Sequence, residues 1–137
     1  MKALDTAVLL GLLEGDRAAR ETVRKLRGHE LAATEANLLE LALLSAKGPW
    51  GARSSRREAI ARLRRKMTVL PIDSRAIEEI ARRSGRPELA GLSPHVLAML
   101  GALEAGGCEE LISGEASFPG KWRFRTTRMP SSTRKAR

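Results

Sequence analysis

Residues 2–10 read Lys2-Ala3-Leu4-Asp5-Thr6-Ala7-Val8-Leu9-Leu10, and this stretch sets the first step of the fold. A short strand over residues 2–4 ends at an acid, and an apolar helix over residues 6–13 follows at once, stopped by Gly15. A strand feeding straight into a helix is the repeating unit of α/β proteins with a mostly parallel sheet. The unit recurs. Asp16 opens a second helix to about residue 27, with Val23 and Leu26 on its inner face and Gly28 ending it. Residues 31–34 read as a second strand and residues 35–46 as a leucine-rich helix, which Gly48, Pro49 and Gly51 break. Over residues 55–67, Ser55 and Glu58 have capping-box spacing, and Ile60, Leu63 and Met67 make one apolar face. The other face carries Arg56, Arg57, Arg62, Arg64, Arg65 and Lys66.

Residues 68–70 read as a third strand closed by Pro71, and Asp73 caps a helix to about residue 83, with Gly85 as its stop. Ser93-Pro94 starts a helix to residue 105, since proline suits the first helical position, and Gly106-Gly107 ends it. Residues 110–113 are a fourth strand, and residues 121–125 are expected as a fifth, with Trp122 and Phe124 on one side. The expected architecture is α/β: a three-layer sandwich with a four- or five-stranded, mainly parallel sheet. Residues 1–125 form the expected domain, and residues 126–137 a basic, disordered tail.

A chain of 137 residues buries enough surface to fold without disulfides or a structural metal. Its single cysteine, Cys108, excludes a disulfide-framed secreted fold and points to a reducing, cytoplasmic setting. The apolar run over residues 7–13 is far short of the roughly 20 residues that span a membrane, so no membrane partner is expected. Asp5 interrupts any signal-peptide reading of the leader. Of the net charge of +9, Lys121, Arg123, Arg125, Arg128, Arg134, Lys135 and Arg137 supply all but +2. The body is nearly neutral and the tail is a polycation, a pattern that meets polyanions, nucleic acid first. Trp50, Phe118, Trp122 and Phe124 are the only aromatics, so the core is aliphatic. An aromatic pair beside the tail reads as an anchor to that core before it reads as a base-stacking platform.

Several chemistries are missing. The chain has no phosphate-binding glycine loop, no Cys-x-x-Cys pair and no His-Glu-x-x-His helix. Cys108 has no histidine near it in sequence and reads as a small packing residue. What remains is a set of groups at strand ends and helix starts: Asp5, Glu40, His95 and Glu115. Parallel pairing brings the carboxyl ends of the strands to one edge, where α/β proteins bind their ligands. Carboxylates gathered there repel one another unless a divalent cation neutralises them, and hard oxygen ligands suit magnesium or manganese.

The pattern resembles the PIN domain, the fold of the VapC-type toxin nucleases and related RNA-processing enzymes. The stretch Leu4-Asp5-Thr6-Ala7-Val8-Leu9-Leu10 is similar to the family's LDTNVLL opening, in which the Asp is a metal ligand and the Thr supports it. Residues 35–41, EANLLEL, resemble the stretch whose late Glu is the second acidic position, which falls on Glu40. Glu35 stands near the same strand end, and a shift of register would exchange the two; its charge also suits a helix first turn. Leucines at 38, 39 and 41 flank Glu40 in the family's manner. Thr68-Val69-Leu70-Pro71-Ile72-Asp73 resembles a family strand leading into a helix, and Ser93-Pro94-His95-Val96-Leu97-Ala98 a segment usually reading Ser-Pro-x-Asp-Ala. Ile112-Ser113-Gly114-Glu115-Ala116-Ser117-Phe118 resembles the ending Ser/Thr-x-Asp-x-x-Phe.

The departures are specific. Ala7 replaces the family's Asn, His95 its third acid, and Glu115 stands where Asp is usual. The resemblance implies metal-assisted hydrolysis of RNA phosphodiesters, with Asp5, Glu40 and Glu115 holding magnesium or manganese, His95 beside them, and Thr6 and Ser113 in support. The tail cations, Lys121 to Arg137, would hold the RNA. The resemblance also implies a homodimer and a protein antitoxin, or else an RNA-processing role. The alternative is a catalytically degenerate PIN-like module that binds RNA or a protein partner.

Overall fold

The computed structural model describes residues 1–46 and 53–130. Trp50, the break at Gly48, Pro49 and Gly51, and the last basic residues Arg134, Lys135 and Arg137 lie outside that range. Strands β1 (Lys2–Leu4), β2 (Leu31–Thr34), β3 (Thr68–Leu70), β4 (Glu110–Ser113) and β5 (Arg125–Arg128) make one sheet in the order β3-β2-β1-β4-β5. Every neighbouring pair is parallel. The helices are α1 (Thr6–Glu14), α2 (Arg17–Arg24), α3 (Glu35–Ser45), α4 (Arg53–Arg65), α5 (Ser74–Ala81) and α6 (Pro94–Ala105). Among the described residues no helix is long and apolar enough to cross a membrane.

Alternation along the strands builds two cores, which is why the protein has three layers. Ala3, Ala32 and Leu111 face one side and pack with Leu100 and Leu103 of α6. Leu4, Ala33 and Ile112, each next in sequence, face the other side and pack with Val8 and Leu9 of α1 and Leu41 of α3. Ile60 and Leu63 of α4, with Met67 just beyond it, join that second core as their spacing predicts. The helix already includes Arg53, however, so Ser55 is not its N-cap.

The fifth strand is the main correction: it is Arg125–Arg128, four residues later than residues 121–125. Parallel pairing requires the chain to travel back to the start of β4 before β5 can begin, and residues 114–124 make that return. The Arg125 N–H then donates to the Glu109 carbonyl at 3.1 Å, opening the ladder. Trp122 and Phe124 belong to the crossover. Their rings stack with centroids 5.8 Å apart, Arg83 lies 4.6 Å over the Trp122 ring, and Phe124 is buried in the first core. They anchor to the core as expected, but from a loop, and ordered structure continues past residue 125.

Helices α5 and α6 approach closely at Gly101. A Cβ there would lie 2.6 Å from the Ala76 carbonyl oxygen and 2.9 Å from Ile80 Cγ1. The backbone cannot give way cheaply, so Gly101→Ala is expected to cost about 1–3 kcal/mol of stability. That loss arises despite the roughly 1 kcal/mol better helix propensity of alanine. Urea unfolding decides it: a variant as stable as the parent would show that the two helices are free to separate.

Candidate functional site

Strand β1 sits between β2 and β4: the chain moves out from β1 to β2 and β3, then crosses back to place β4 and β5 on the other side. Such a switch point opens a crevice beyond the strand carboxyl ends. Asp5 follows β1 there and caps α1, its Oδ1 accepting from the Val8 N–H at 3.2 Å. Its Oδ2 accepts from the Ser113 hydroxyl at 2.5 Å and from the Gly114 N–H at 3.1 Å, both at the end of β4. Ser113 is wholly buried and its Oγ accepts in turn from the Glu115 N–H at 2.9 Å. Burial pushes the Asp5 carboxyl above its ordinary value, and the hydrogen bonds from Ser113, Val8 and Gly114 only partly oppose this.

Glu110, the other strand-borne carboxylate, shows what is missing at Asp5. It is also buried, but Thr127 and Lys2 donate hydrogen bonds to it, and the Lys2 and Arg125 charges lie beside it, at 2.9 and 3.2 Å. Burial acts to raise its carboxyl; these partners outweigh it and bring the value down to about 2. Asp5 has no such cation among the described residues.

A second group of side chains converges from α1, α3 and α6. Thr34 caps α3 by accepting from the Asn37 N–H at 3.1 Å and donates its own proton to Asn37 Oδ1 at 2.8 Å. Asn37 Nδ2 donates to Thr6 Oγ1 at 3.1 Å and faces Met99 Sδ at 3.3 Å. The Thr6 hydroxyl donates to Glu40 Oε1 at 2.6 Å, and His95 Nε2 lies 3.0 Å from the same oxygen. Glu40 and His95 are partly open to solvent, whereas Asn37 is buried.

The expected residues are therefore brought together in two sets, Asp5 with Ser113, and Thr6 with Glu40 and His95. Consecutive residues Asp5 and Thr6 join the two sets. Glu115 stands apart: its side chain is exposed and has no hydrogen bond or ion pair with the described residues. Glu35 has another task, accepting from the Ile72 N–H at 2.8 Å and tying α3 to the connection after β3. Among the described residues no three His, Cys, Asp or Glu side chains cluster closely enough to hold a metal. Thr34, Asn37 and Met99 did not stand out in the sequence; the only local signal was Thr34 placed three residues before an Asn at a helix start.

The model of the PIN domain matches residues 2–94 of the 137. The chain belongs to the PIN domain family. Among solved structures this PIN domain is similar to VapBC2 from Rickettsia felis bound to a DNA fragment from their promoter. The TM-score is 0.75 at 10% identity, over 94% of this chain and 98% of that one. DNA-bound VapBC from Salmonella typhimurium gives a TM-score of 0.67 at 17% identity, with 94% and 98% covered. VapC20 of Mycobacterium tuberculosis, a sarcin-ricin loop cleaving toxin, gives 0.61 at 15% identity, with 81% and 87% covered. At these identities the likeness is one of fold. Comparison with curated proteins finds no match.

The basic segment of this PIN domain divides in two. Arg123 and Arg125 pair with the body acids Glu104 and Glu110 at 3.5 and 3.2 Å. Lys121 and Arg128 are exposed and pair with no described carboxylate. Arg128 lies opposite Ser113 in the β4–β5 ladder, and with Arg17 of α2 and Lys25 at its C-cap it lines an open groove of about 490 Å³.

The raised Asp5 carboxyl has a pH signature. Stability contributed by its protonated form is present in full below its ordinary value of 3.8 and is lost as pH rises through the folded-state value. Asp5→Asn cannot ionise, so parent stability minus variant stability should fall as pH rises from about 4 towards neutrality. Urea titrations at several pH values measure this, and a flat difference would place Asp5 at its ordinary value.

Proposed function

We propose that this PIN domain is a metal-dependent endoribonuclease that hydrolyses phosphodiesters of single-stranded RNA in the cytoplasm, as the toxin of a toxin–antitoxin pair. One observation carries the reading. In a chain with 25 Lys and Arg, a buried carboxylate at the switch point of the sheet is held by three neutral donors and by no cation among the described residues. The donor chemistry fits magnesium or manganese. Asp5 and Glu40 offer hard oxygens, and magnesium is commonly held by one or two carboxylates with substrate phosphate and water, not by a closed protein cage. Bound there, the cation would supply charge stabilisation at the phosphoryl oxygens and a water of lowered pKa.

The chain's own residues do the rest. Ser113 and Gly114 hold Asp5, Thr6 holds one oxygen of Glu40, and Glu115 offers a third carboxylate from its exposed loop. His95 places an imidazole at the mouth of the site. Lys121, and Arg128 with Arg17 and Lys25 in their groove, provide phosphate contacts. VapBC complexes among the similar folds support a protein antitoxin as partner. Leu39 and Leu43 of α3, 58% and 62% exposed, give a homodimer an apolar face. A second reading, a PIN-like module that binds RNA without cutting it, is favoured by His95 occupying Glu40 and by the isolation of Glu115.

The deciding assay is manganese-dependent cleavage of single-stranded RNA. Asp5→Asn and Glu40→Gln should each lower kcat/KM by more than about 100-fold, since losing even an outer partner of a metal ligand typically costs 10–100-fold. His95→Asp should raise metal affinity and activity together. A folded protein that binds RNA yet never cuts it, across metals and substrates, would establish the second reading.

Binding has its own test. Of the seven tail cations, Arg123 and Arg125 are engaged with body acids. Engagement of the other five contributes about −3.5 to the log–log salt slope, at about −0.7 per phosphate, with any contacts from Arg17 and Lys25 adding to it. Deleting residues 131–137 removes Arg134, Lys135 and Arg137 and should reduce the slope by about 2. An unchanged slope would make the tail a solvated appendage.

A further inference from the structure

We propose that Asn37 is a positioning residue that fixes the proton direction of a relay running outward from the core, Thr34 to Asn37 to Thr6 to Glu40, and thereby sets which oxygen of Glu40 is free to bind a ligand. The inference rests on the reading of Glu40 as a cation ligand and adds the device that presents it.

The argument is an accounting of donors and acceptors. A thioether sulfur has no proton, so the group facing Met99 Sδ at 3.3 Å must be a donor. This orients the Asn37 amide, because the reverse orientation would set Oδ1 against sulfur, acceptor against acceptor. With Nδ2 towards Met99, its second proton goes to Thr6 Oγ1 at 3.1 Å. Oδ1 is left to accept the Thr34 proton at 2.8 Å, while the Asn37 N–H returns to Thr34 Oγ1 at 3.1 Å. All donors and the amide oxygen of Asn37 are then used, inside a site where Thr34 is fully buried and Asn37 is 2% exposed.

The consequence reaches Glu40. Thr6 Oγ1 is occupied as an acceptor, so its single proton goes to Glu40 Oε1, at 2.6 Å. His95 Nε2 approaches the same oxygen at 3.0 Å. Oε1 is thereby committed to two protein partners, and Oε2 is the oxygen left for solvent or a cation. Since Thr6 follows Asp5 directly, the same bond also sets α3 against the helix that Asp5 caps. A buried amide whose orientation is chosen by a methionine sulfur on α6 thus registers both carboxylate-bearing elements.

The test uses the full chain, Mn²⁺ alone as probe, and the side-chain amide resonances of Asn37 in ¹⁵N–¹H spectra. Thr6→Val, which keeps shape but removes the hydroxyl, should weaken Mn²⁺ binding by about 10–100-fold, as should Asn37→Leu. Thr6→Ser, which keeps the hydroxyl, should remain within about threefold of the parent. In the spectra, Thr6→Val should shift one Asn37 amide proton and Met99→Leu the other, a pattern that general loosening would not give. If Asn37→Leu does not fold, the Thr6 and Met99 variants carry the test. Folded Thr6→Val with parental Mn²⁺ affinity, or with both Asn37 resonances unmoved, overturns the proposal. If the parent itself binds no Mn²⁺, the cation reading of Glu40 fails, and the amide resonances alone decide the relay.

Discussion

The fold turns on a carboxylate that is costly to bury and does three jobs where it lies. Asp5 ends β1, caps α1 through the Val8 N–H, and takes the Ser113 hydroxyl and the Gly114 N–H from β4. Its position at the switch point follows from the strand order, and the strand order follows from the two-sided burial of Ala3-Leu4, Ala32-Ala33 and Leu111-Ile112. Neutral donors satisfy its lone pairs but do not cancel its charge. Elsewhere on the same sheet, Glu110 shows that the chain can supply Lys2 and Arg125 to a buried acid when only stability is at stake. The uncancelled charge at Asp5 is therefore a property of the site and not of the sheet.

Much of this was legible in the chain. Short apolar runs of two or three residues marked four strands, because a strand buried on both faces needs only a few apolar residues and a clean end. Asp16, Asp73 and Ser93 cap their helices as their chemistry demands, each accepting from the N–H three residues on. The fifth strand was misplaced because Trp122 and Phe124 alternate like strand residues, while Arg125-Thr126-Thr127-Arg128 has no apolar residue to mark it. Its place is dictated by where a parallel crossover can land, which local patterns do not encode.

The acids of the candidate site stand out in the sequence, and its wiring does not. Asp5 and Glu40 announce themselves by charge at strand and helix ends, and the structure separates Glu40 from Glu35 by giving the latter the Ile72 N–H. Asn37 gave no comparable signal, since its partners Thr6 and Met99 lie 31 and 62 residues away in sequence. His95 changes the balance of the second set from acid–acid repulsion to an imidazole–carboxylate contact. Glu115 lies exposed on its loop, tied to the site only through its N–H to Ser113 Oγ.

The span between Asp5 and the donors that hold it has a consequence for how the protein is made. Ser113 is 108 residues from Asp5, and β1 borders β2 on one side and β4 on the other. A nascent chain that has emerged only through α6 can lay β1 beside β2 and β3, but it has no hydroxyl or N–H with which to fix the Asp5 carboxylate. The open side of β1 stays unpaired until β4 is released, so closure of the sheet and satisfaction of the Asp5 carboxylate coincide. The hydrogen bonds that fix Asp5 are thus withheld from every folding intermediate that lacks β4.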